Sequence, residues 1–417
     1  MATETQRAHK RPLVDTARRI VVKLGSGVLA DVDGGVDRTR IEALAAEIAS
    51  LRATGRTVIV VTSGAVAAGV ARLALPGRPR TIPFKQAAAA VGQIGIMAAY
   101  ESAFAAQGLQ VAQMLVTRDD LSHRRRYLNA KHALMALLEW NVVPVINEND
   151  TVVVEEIKLG DNDNLSALTA TLADADLLVI LSDVAGLFTS DPREDDTASR
   201  IPLVTAVTPA IESMAGGTGH LGTGGMATKL AAAKQASASG IPTVIADGRA
   251  PGVLAAVMDA DQEIGTLILP VADRLARRKH WIAYTLEPSG NLIVDDGARR
   301  AIASDGRSLL PSGLHEVQGE FEVGACVRCL GLDGVEFARG LVSYGAAELD
   351  RIKGKHSRDI ETILGYKIGD EVVHRDDLVL DARGSGVTTT AGTTAHNDST
   401  PPRAAASRAG KGDGDRS

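Results

Sequence analysis

The stretch GTGHLGTGGMATKLAAAKQA, Gly217 to Ala236, sets Gly222, Gly224 and Gly225 just ahead of Thr228 and Lys229, at the head of an alanine-rich helical run. Glycine lacks the Cβ that keeps an anion away from the backbone, so N–H groups here can approach phosphate oxygens. Thr223 and Thr228 add hydroxyls, and Lys229 adds a charge where a helix N-terminus also favours anions. The chemistry this suits is phosphate binding, although a solvated surface hairpin has the same composition. Gly217, Gly219 and Gly222 also spell G-x-G-x-x-G, but a dinucleotide fingerprint must follow a strand, and the preceding TPAIESMAGG reads as a helix. The chain has no G-x-x-x-x-G-K-[ST] loop.

A second anion site is suggested by RIVVKLGSGVL, where Lys23 ends a strand and Gly25, Ser26 and Gly27 follow. Alone, such a lysine snorkels to water. Two glycine-flanked lysines in one domain can instead grip one triphosphate from opposite sides. A third element, VVPVINENDTVVVEEIKLGDNDNLSALTATLA, carries Asn147, Glu148, Asn149 and Asp150 after one strand. It then carries Asp161, Asn162, Asp163 and Asn164 before a helix. Such residues are common caps and turns, and that reading suffices for one cluster. The other is free to orient lysines or to hold a substrate ammonium group. Ser63, before Gly64 at another strand end, suits either a substrate carboxylate or a plain helix cap.

These residues need a scaffold that gathers strand ends. RIVVKLG, TVIVVTSG, VAQMLVT, VVPVINEND, DLLVILSD and IPTVIADG are β-branched runs alternating with helical patterns, which predicts α/β with a mainly parallel central sheet between helices. In open sheets of this class, ligands sit at the carboxyl ends of the strands. The stretch from about 83 to 107 is apolar nearly all round and must be buried in the domain or covered by another subunit. From about 289 the text changes to short glycine-punctuated strands, which predicts a small β-rich domain. The expected divisions are a flexible N-terminus over 1–18, an α/β domain over 19–272, a linker over 273–288, a β-rich domain over 289–381 and a disordered tail over 382–417.

Composition narrows the function classes. The 417 residues are 45% hydrophobic, enough for two cores, and the formal net charge of −6 gives no general nucleic-acid signature. The two cysteines, Cys326 and Cys329, lie in a strand-like run with no second ligand pair, so they read as ordinary buried thiols and not as a redox or zinc motif. No stretch approaches the ~20 apolar residues of a membrane span. A soluble, reducing, cytoplasmic setting is expected.

In order and spacing, VVKLGSGVL, VIVVTSGAVAAG, VVPVINEND, KLGDNDNLSAL, LLVILSDVAGLFTSDPR and HLGTGGMATKL resemble the glutamate 5-kinase branch of the amino acid kinase family. The C-terminal part resembles a PUA domain, and together the likeness spans about residues 19 to 381. It implies the amino acid kinase fold, with ATP and L-glutamate meeting along the strand ends and Mg²⁺ accompanying ATP. Carried onto matching positions, it makes Lys23, Lys229 and Asp163 the catalytic set. Ser63, Gly64, Asn147, Asp150 and Asn162 match acceptor-binding positions. Lys23, Gly25, Ser182, Asp183, Thr223, Gly224, Gly225, Met226, Ala227, Thr228 and Lys229 match nucleotide-binding ones, and no protein metal ligand is assigned. Ser182 stands where threonine is common, and Phe188 where tyrosine is frequent; neither touches the charged set. The resemblance also implies a homo-oligomer, feedback inhibition by proline, and hand-off of product to γ-glutamyl phosphate reductase (glutamate-5-semialdehyde dehydrogenase).

A carboxylate acceptor with a reference pKa of ~4.3 is already ionised at neutral pH and needs no general base. Consistently, His123, His132 and His220 lie outside the matched clusters. The obstacle is bringing an anion to a polyanion, which lysines, magnesium and loop amides address. Two competitors remain: a sister kinase with another acceptor, and an RNA-binding module using RLARRKH and KGKHSR. An aromatic content of 3% leaves few stacking platforms and weighs against RNA.

Overall fold

The computed structural model describes residues 4–31, 35–152, 162–215, 225–271 and 288–380. The expected linker (apart from residue 288) and the expected C-terminal tail lie outside the described residues. The first part of the chain runs α1 (Glu4–Thr16), β1 (Arg19–Leu24), α2 (Ser26–Leu29), α3 (Arg38–Ala53), β2 (Thr57–Val61), α4 (Ala65–Arg72), α5 (Ile82–Ala105) and β3 (Val111–Val116). It continues through α6 (Arg118–Ser122), α7 (Arg124–Glu139), β4 (Val143–Glu148), α8 (Asn162–Leu172), β5 (Leu177–Ser182) and β6 (Leu203–Val204). The domain closes with α9 (Pro209–Met214), α10 (Met226–Ala238), β7 (Thr243–Asp247), α11 (Val253–Met258) and β8 (Thr266–Ile268).

The strands form one 8-stranded sheet in the order β3-β4-β2-β1-β5-β7-β8-β6. Every neighbouring pair is parallel except β7 with β8. All six strands expected from the sequence are present. β6 and β8 escaped the sequence reading because two or three residues carry no legible alternation. Both faces of the sheet are covered, so its strands are apolar almost throughout. Ile20, Val22 and Leu24 of β1 join a core with Ile41 and Leu44 of α3, Ile96 and Tyr100 of α5, and Val253 of α11. Val21 faces the other way, with Leu165 of α8 and Leu230 of α10. By strand alternation, Lys23 shares the α8/α10 face.

The long apolar helix α5 is partly buried, through Ala88, Ile96, Tyr100 and Phe104, while Phe84 and Ile94 stay 70% and 64% exposed. It crosses α4 at two glycines that admit no side chain. A Cβ on Gly69 would lie 1.8 Å from the Ala88 carbonyl oxygen, and one on Gly92 would lie 1.9 Å from that of Ala65.

The N-terminus corrects an expectation. Residues 4–16 form α1, where a flexible segment was expected. Its few apolar residues gave no helical stripe; polar side chains hold it instead. Lys10, buried, donates to the carbonyls of Ala256 (3.1 Å), Asp259 (2.6 Å) and Gln262 (2.8 Å), at and just beyond the end of α11. Gln6 donates to the Pro202 carbonyl at 3.0 Å, and Arg7 and Arg11 pair with Asp261. Burial lowers the Lys10 pKa to about 8, against the pull of Asp259 and Asp261.

The second domain is a 5-stranded sheet in the order β10 (Leu314–Gln318), β9 (Gly290–Val294), β11 (Cys326–Leu330), β12 (Glu336–Val342) and β13 (Val373–Leu380). Its neighbours are antiparallel except β9 with β11. Leu292, Val327, Phe337, Tyr344 and Ile352 centre its own core. Cys326 and Cys329 are both buried and not joined in a disulfide, and burial pushes the Cys329 thiol up to about 12.

Candidate active site

The carboxyl ends of β1, β2, β4 and β5 open into a cleft of about 760 Å³. At one end it is lined by Lys23, Gly25, Ser182, Asp183 and Lys229; at the other by Ser63, Gly64, Asn147, Asp150 and Asn162. Residues 206 positions apart in the chain, Lys23 and Lys229, thus meet because alternation along β1 turns Lys23 toward the helices that begin at Asn162 and Met226. Asp163, on the first turn of α8, lies between them. Its Oδ1 accepts from Lys23 Nζ at 2.5 Å, and its Oδ2 lies 3.6 Å from Lys229 Nζ. Thr228 Oγ1 donates to the same Oδ2 at 2.7 Å.

Lys23, Asp163 and Lys229 are 4%, 2% and 3% exposed. Burial alone would raise the Asp163 pKa, but Lys23 and Lys229 beside it, with the hydrogen bonds from Lys23 and Thr228, hold it below the usual carboxylate range. Lys229 moves down, because burial outweighs the attraction of Asp163 and Lys23 adds repulsion. The cluster therefore carries two amines and one acid in a dry setting, a surplus of positive charge suited to an anion.

Of the remaining described nucleotide-site candidates, Gly25 lines the cleft, while Gly225, Met226 and Ala227 stand at the start of α10. The N–H of Gly25 donates to the Leu181 carbonyl at 3.0 Å, tying the β1 turn to β5. A Cβ on Gly27 would sit 3.3 Å from the Asp183 carboxylate. Gly225 caps α10, and Met226 and Ala227 open it without lining the cleft. Thr228 and Asp163 stand behind the lysines. Thr223 and Gly224 lie outside the described residues.

At the acceptor end, Gly64 takes the left-handed conformation (φ 95) that turns β2 into α4 and exposes Ser63 to the cleft. Asn147 is fixed by two bonds: its Nδ2 donates to Gln93 Oε1 at 2.7 Å, and its Oδ1 accepts from the Glu148 N–H at 2.9 Å. Asp150 is buried, and desolvation, with the Glu148 charge, raises its pKa to about 7 against the opposing pull of Arg78. Asn162 Oδ1 is buried without a hydrogen-bond partner among the described residues.

Two residues here escaped the sequence reading. Gln93 lies mid-helix in an alanine-rich run, and Arg78 in the loop LPGRPR; only the fold brings them to Asn147 and the cleft.

A model of the amino acid kinase family matches residues 18–247, and a PUA domain model matches residues 290–364. The chain belongs to the amino acid kinase family. Its kinase domain is the 8-stranded unit, and four strands of the 5-stranded sheet, β9 to β12, lie in the PUA match, while β13 follows it. A glutamate 5-kinase from Geobacter sulfurreducens is 56% identical over 369 residues, covering 88% of this chain and 99% of the relative. Glutamate 5-kinases from Pelobacter propionicus and Moorella thermoacetica are 55% and 51% identical, each over 89% of this chain and over 100% and 98% of the relative. Among solved structures, a UMP kinase from Bacillus anthracis aligns with a TM-score of 0.43 at 18% identity, over 61% of this chain and 97% of that one.

Proposed function

We propose that the chain transfers the γ-phosphoryl group of ATP to the γ-carboxylate of L-glutamate, giving L-glutamyl 5-phosphate and ADP, the first step of proline synthesis from glutamate. The observation that carries this reading is the buried Lys23–Asp163–Lys229 set in the cleft of a chain 56% identical to a glutamate 5-kinase. The acceptor carboxylate is already ionised, so no base is required; the work is to bring two anions together and hold them in line.

In this reading, Lys229 contacts the β and γ phosphates and Lys23 the transferring group, while Asp163 fixes both amines. Ser182 and Asp183, with the glycine loop that leads to Thr228, hold the nucleotide. Ser63, Gly64, Asn147, Asp150 and Asn162 hold glutamate, with Asp150 on the ammonium group. Magnesium supplies charge neutralisation when bound with ATP. It prefers oxygen ligands and keeps several waters, and the Asp183 carboxylate at the cleft suits one ligand position. The same reading carries a cytoplasmic homo-oligomer, inhibition by proline near the acceptor end, and hand-off of the labile acyl phosphate to γ-glutamyl phosphate reductase.

The test is ADP release in a coupled assay with glutamate, with hydroxylamine trapping the acyl phosphate as a hydroxamate, repeated with added proline and with a panel of other acceptors. Glutamate-dependent hydroxamate is expected. Faster turnover of a carbamate or a nucleotide would reassign the acceptor.

A further inference from the structure

One carbon of glutamate bears both an ammonium and a carboxylate, so a site that selects the amino acid needs receptors of opposite sign side by side. Among the described residues, the charged side chains lining the cleft are Lys23, Arg78, Asp150, Asp183 and Lys229. Lys23 and Lys229 are engaged by Asp163, and Asp183 stands beside Gly27 at the phosphate end. Asp150 and Arg78 remain. Arg78 and Asp150 both line the cleft, and the Arg78 charge acts on the Asp150 carboxyl. Among the described residues the Arg78 side chain makes no hydrogen bond or ion pair. A cation at a cleft wall that bonds to no described residue has donors to spare for a ligand.

The backbone gives this arginine a defined place. The loop leaves α4 at Arg72, reverses at Ala74 in the left-handed region (φ 50), and runs on to Thr81, which precedes α5. Pro76 and Pro79 bracket Arg78, and a residue before proline is confined to extended backbone. The restriction that Pro79 puts on the Arg78 backbone reduces the ordering cost of presenting the side chain. Ser63 and Gly64 lie at the other end of the same helix, α4, also on the cleft.

We propose that Arg78 is the receptor for the α-carboxylate of the acceptor, paired with Asp150 on the α-ammonium, and is therefore a specificity-determining residue. The inference rests on the glutamate reading above and adds to it the group that distinguishes an α-amino acid from other carboxylates. Arg78 takes no part in the phosphoryl transfer itself.

The experiment measures ADP release by the full chain and by Arg78→Gln and Arg78→Lys, with L-glutamate and with L-isoglutamine, which keeps the γ-carboxylate but has an α-carboxamide. Arg78→Gln is expected to raise KM for glutamate roughly 10- to 100-fold with kcat and the KM for ATP nearly unchanged, and Arg78→Lys to restore part of the loss. Isoglutamine, lacking the charge that Arg78 reads, is expected to show the same kcat/KM with either enzyme. Where its turnover is too slow to follow, its inhibition constant against glutamate gives the same comparison. Equal losses on both acceptors would mean that Arg78 acts through Asp150 or through the loop, and would overturn the assignment. An unchanged glutamate KM in Arg78→Gln overturns this inference alone. A wild-type chain that releases no ADP with glutamate overturns the acceptor reading and this inference with it.

Discussion

Asp150, in the cleft wall, and Asp163, behind the two lysines of the same cleft, are both buried acids, and their surroundings push them in opposite directions. Asp163 receives two ammonium groups and a hydroxyl, which together overcome burial and keep it ionised. Asp150 has a second carboxylate, Glu148, nearby and one exposed arginine, so burial prevails and its pKa rises to about 7. The first acid carries its counter-charges within the protein and can serve as a fixed strut between the two amines. The second is short of positive charge until a ligand brings some. Burial alone thus does not tell a structural acid from a binding one; the balance of charge around it does.

The largest effects should come from breaking the fixed end. Lys229→Ala and Lys23→Ala are each expected to lower kcat roughly 100- to 1,000-fold, as for loss of one preorganised electrostatic donor. Asp163→Asn should join them in kcat while leaving the glutamate KM little changed, because it disorders the amines rather than the acceptor end. Steady-state rates, with circular dichroism to confirm folding, check this. A folded Lys229→Ala protein with near-native turnover would remove the phosphate-end assignment.

How much of this contrast was legible in the sequence follows from what kind of signal each part leaves. Lys23, Asp163 and Lys229 sit at junctions between strand, glycine loop and helix, and each junction has its own local spelling. Alternation along β1, readable from RIVVKLG, even implies the face on which Lys23 emerges. The pKa of Asp150 was not readable, since it depends first on burial, which the fold sets, and on Arg78 from another element as well as on the nearby Glu148. Helix α1 was missed for a related reason. Its main anchor is one lysine reaching carbonyls some 250 residues away, and no local pattern records that. Arg78 drew no notice in the sequence because only the fold brings its loop to the cleft.

A tenfold effect separates the two ends by pH. Asp150 must be ionised to receive an ammonium group, and its pKa of about 7 makes that ionisation incomplete in the neutral range. The glutamate KM should therefore fall roughly tenfold from pH 6 to pH 8, the span over which an acid with this pKa loses its proton. The KM for ATP should lack the Asp150 step, since in this reading Asp150 meets only the acceptor. Asp150→Asn is expected to raise the glutamate KM and flatten its pH profile. A wild-type KM that is flat from pH 6 to 8 would show that Asp150 does not meet the ammonium group.

The smallest effect is on stability, and its sign is the sharpest test of the comparison. A raised carboxylate pKa means that the folded chain binds the proton more tightly than the unfolded chain. The Asp150 contribution is thus most favourable at low pH and is lost as pH rises from the ordinary carboxylate range through about 7. Asp163 has the reverse sign: its depressed pKa adds stability above the unfolded value, and that stability disappears as pH falls through the lower folded value. At pH 8, without ligands, Asp150→Asn should accordingly raise the unfolding midpoint by roughly 2–4 °C per kcal/mol recovered, a gain that shrinks toward pH 5. Asp163→Asn should lower it at both pH values, because two buried ammonium groups lose their counter-charge. Thermal melts of the two variants at pH 5 and pH 8 decide the matter. Shifts of the same sign at pH 8 would mean that the two ends of the cleft are electrostatically alike after all.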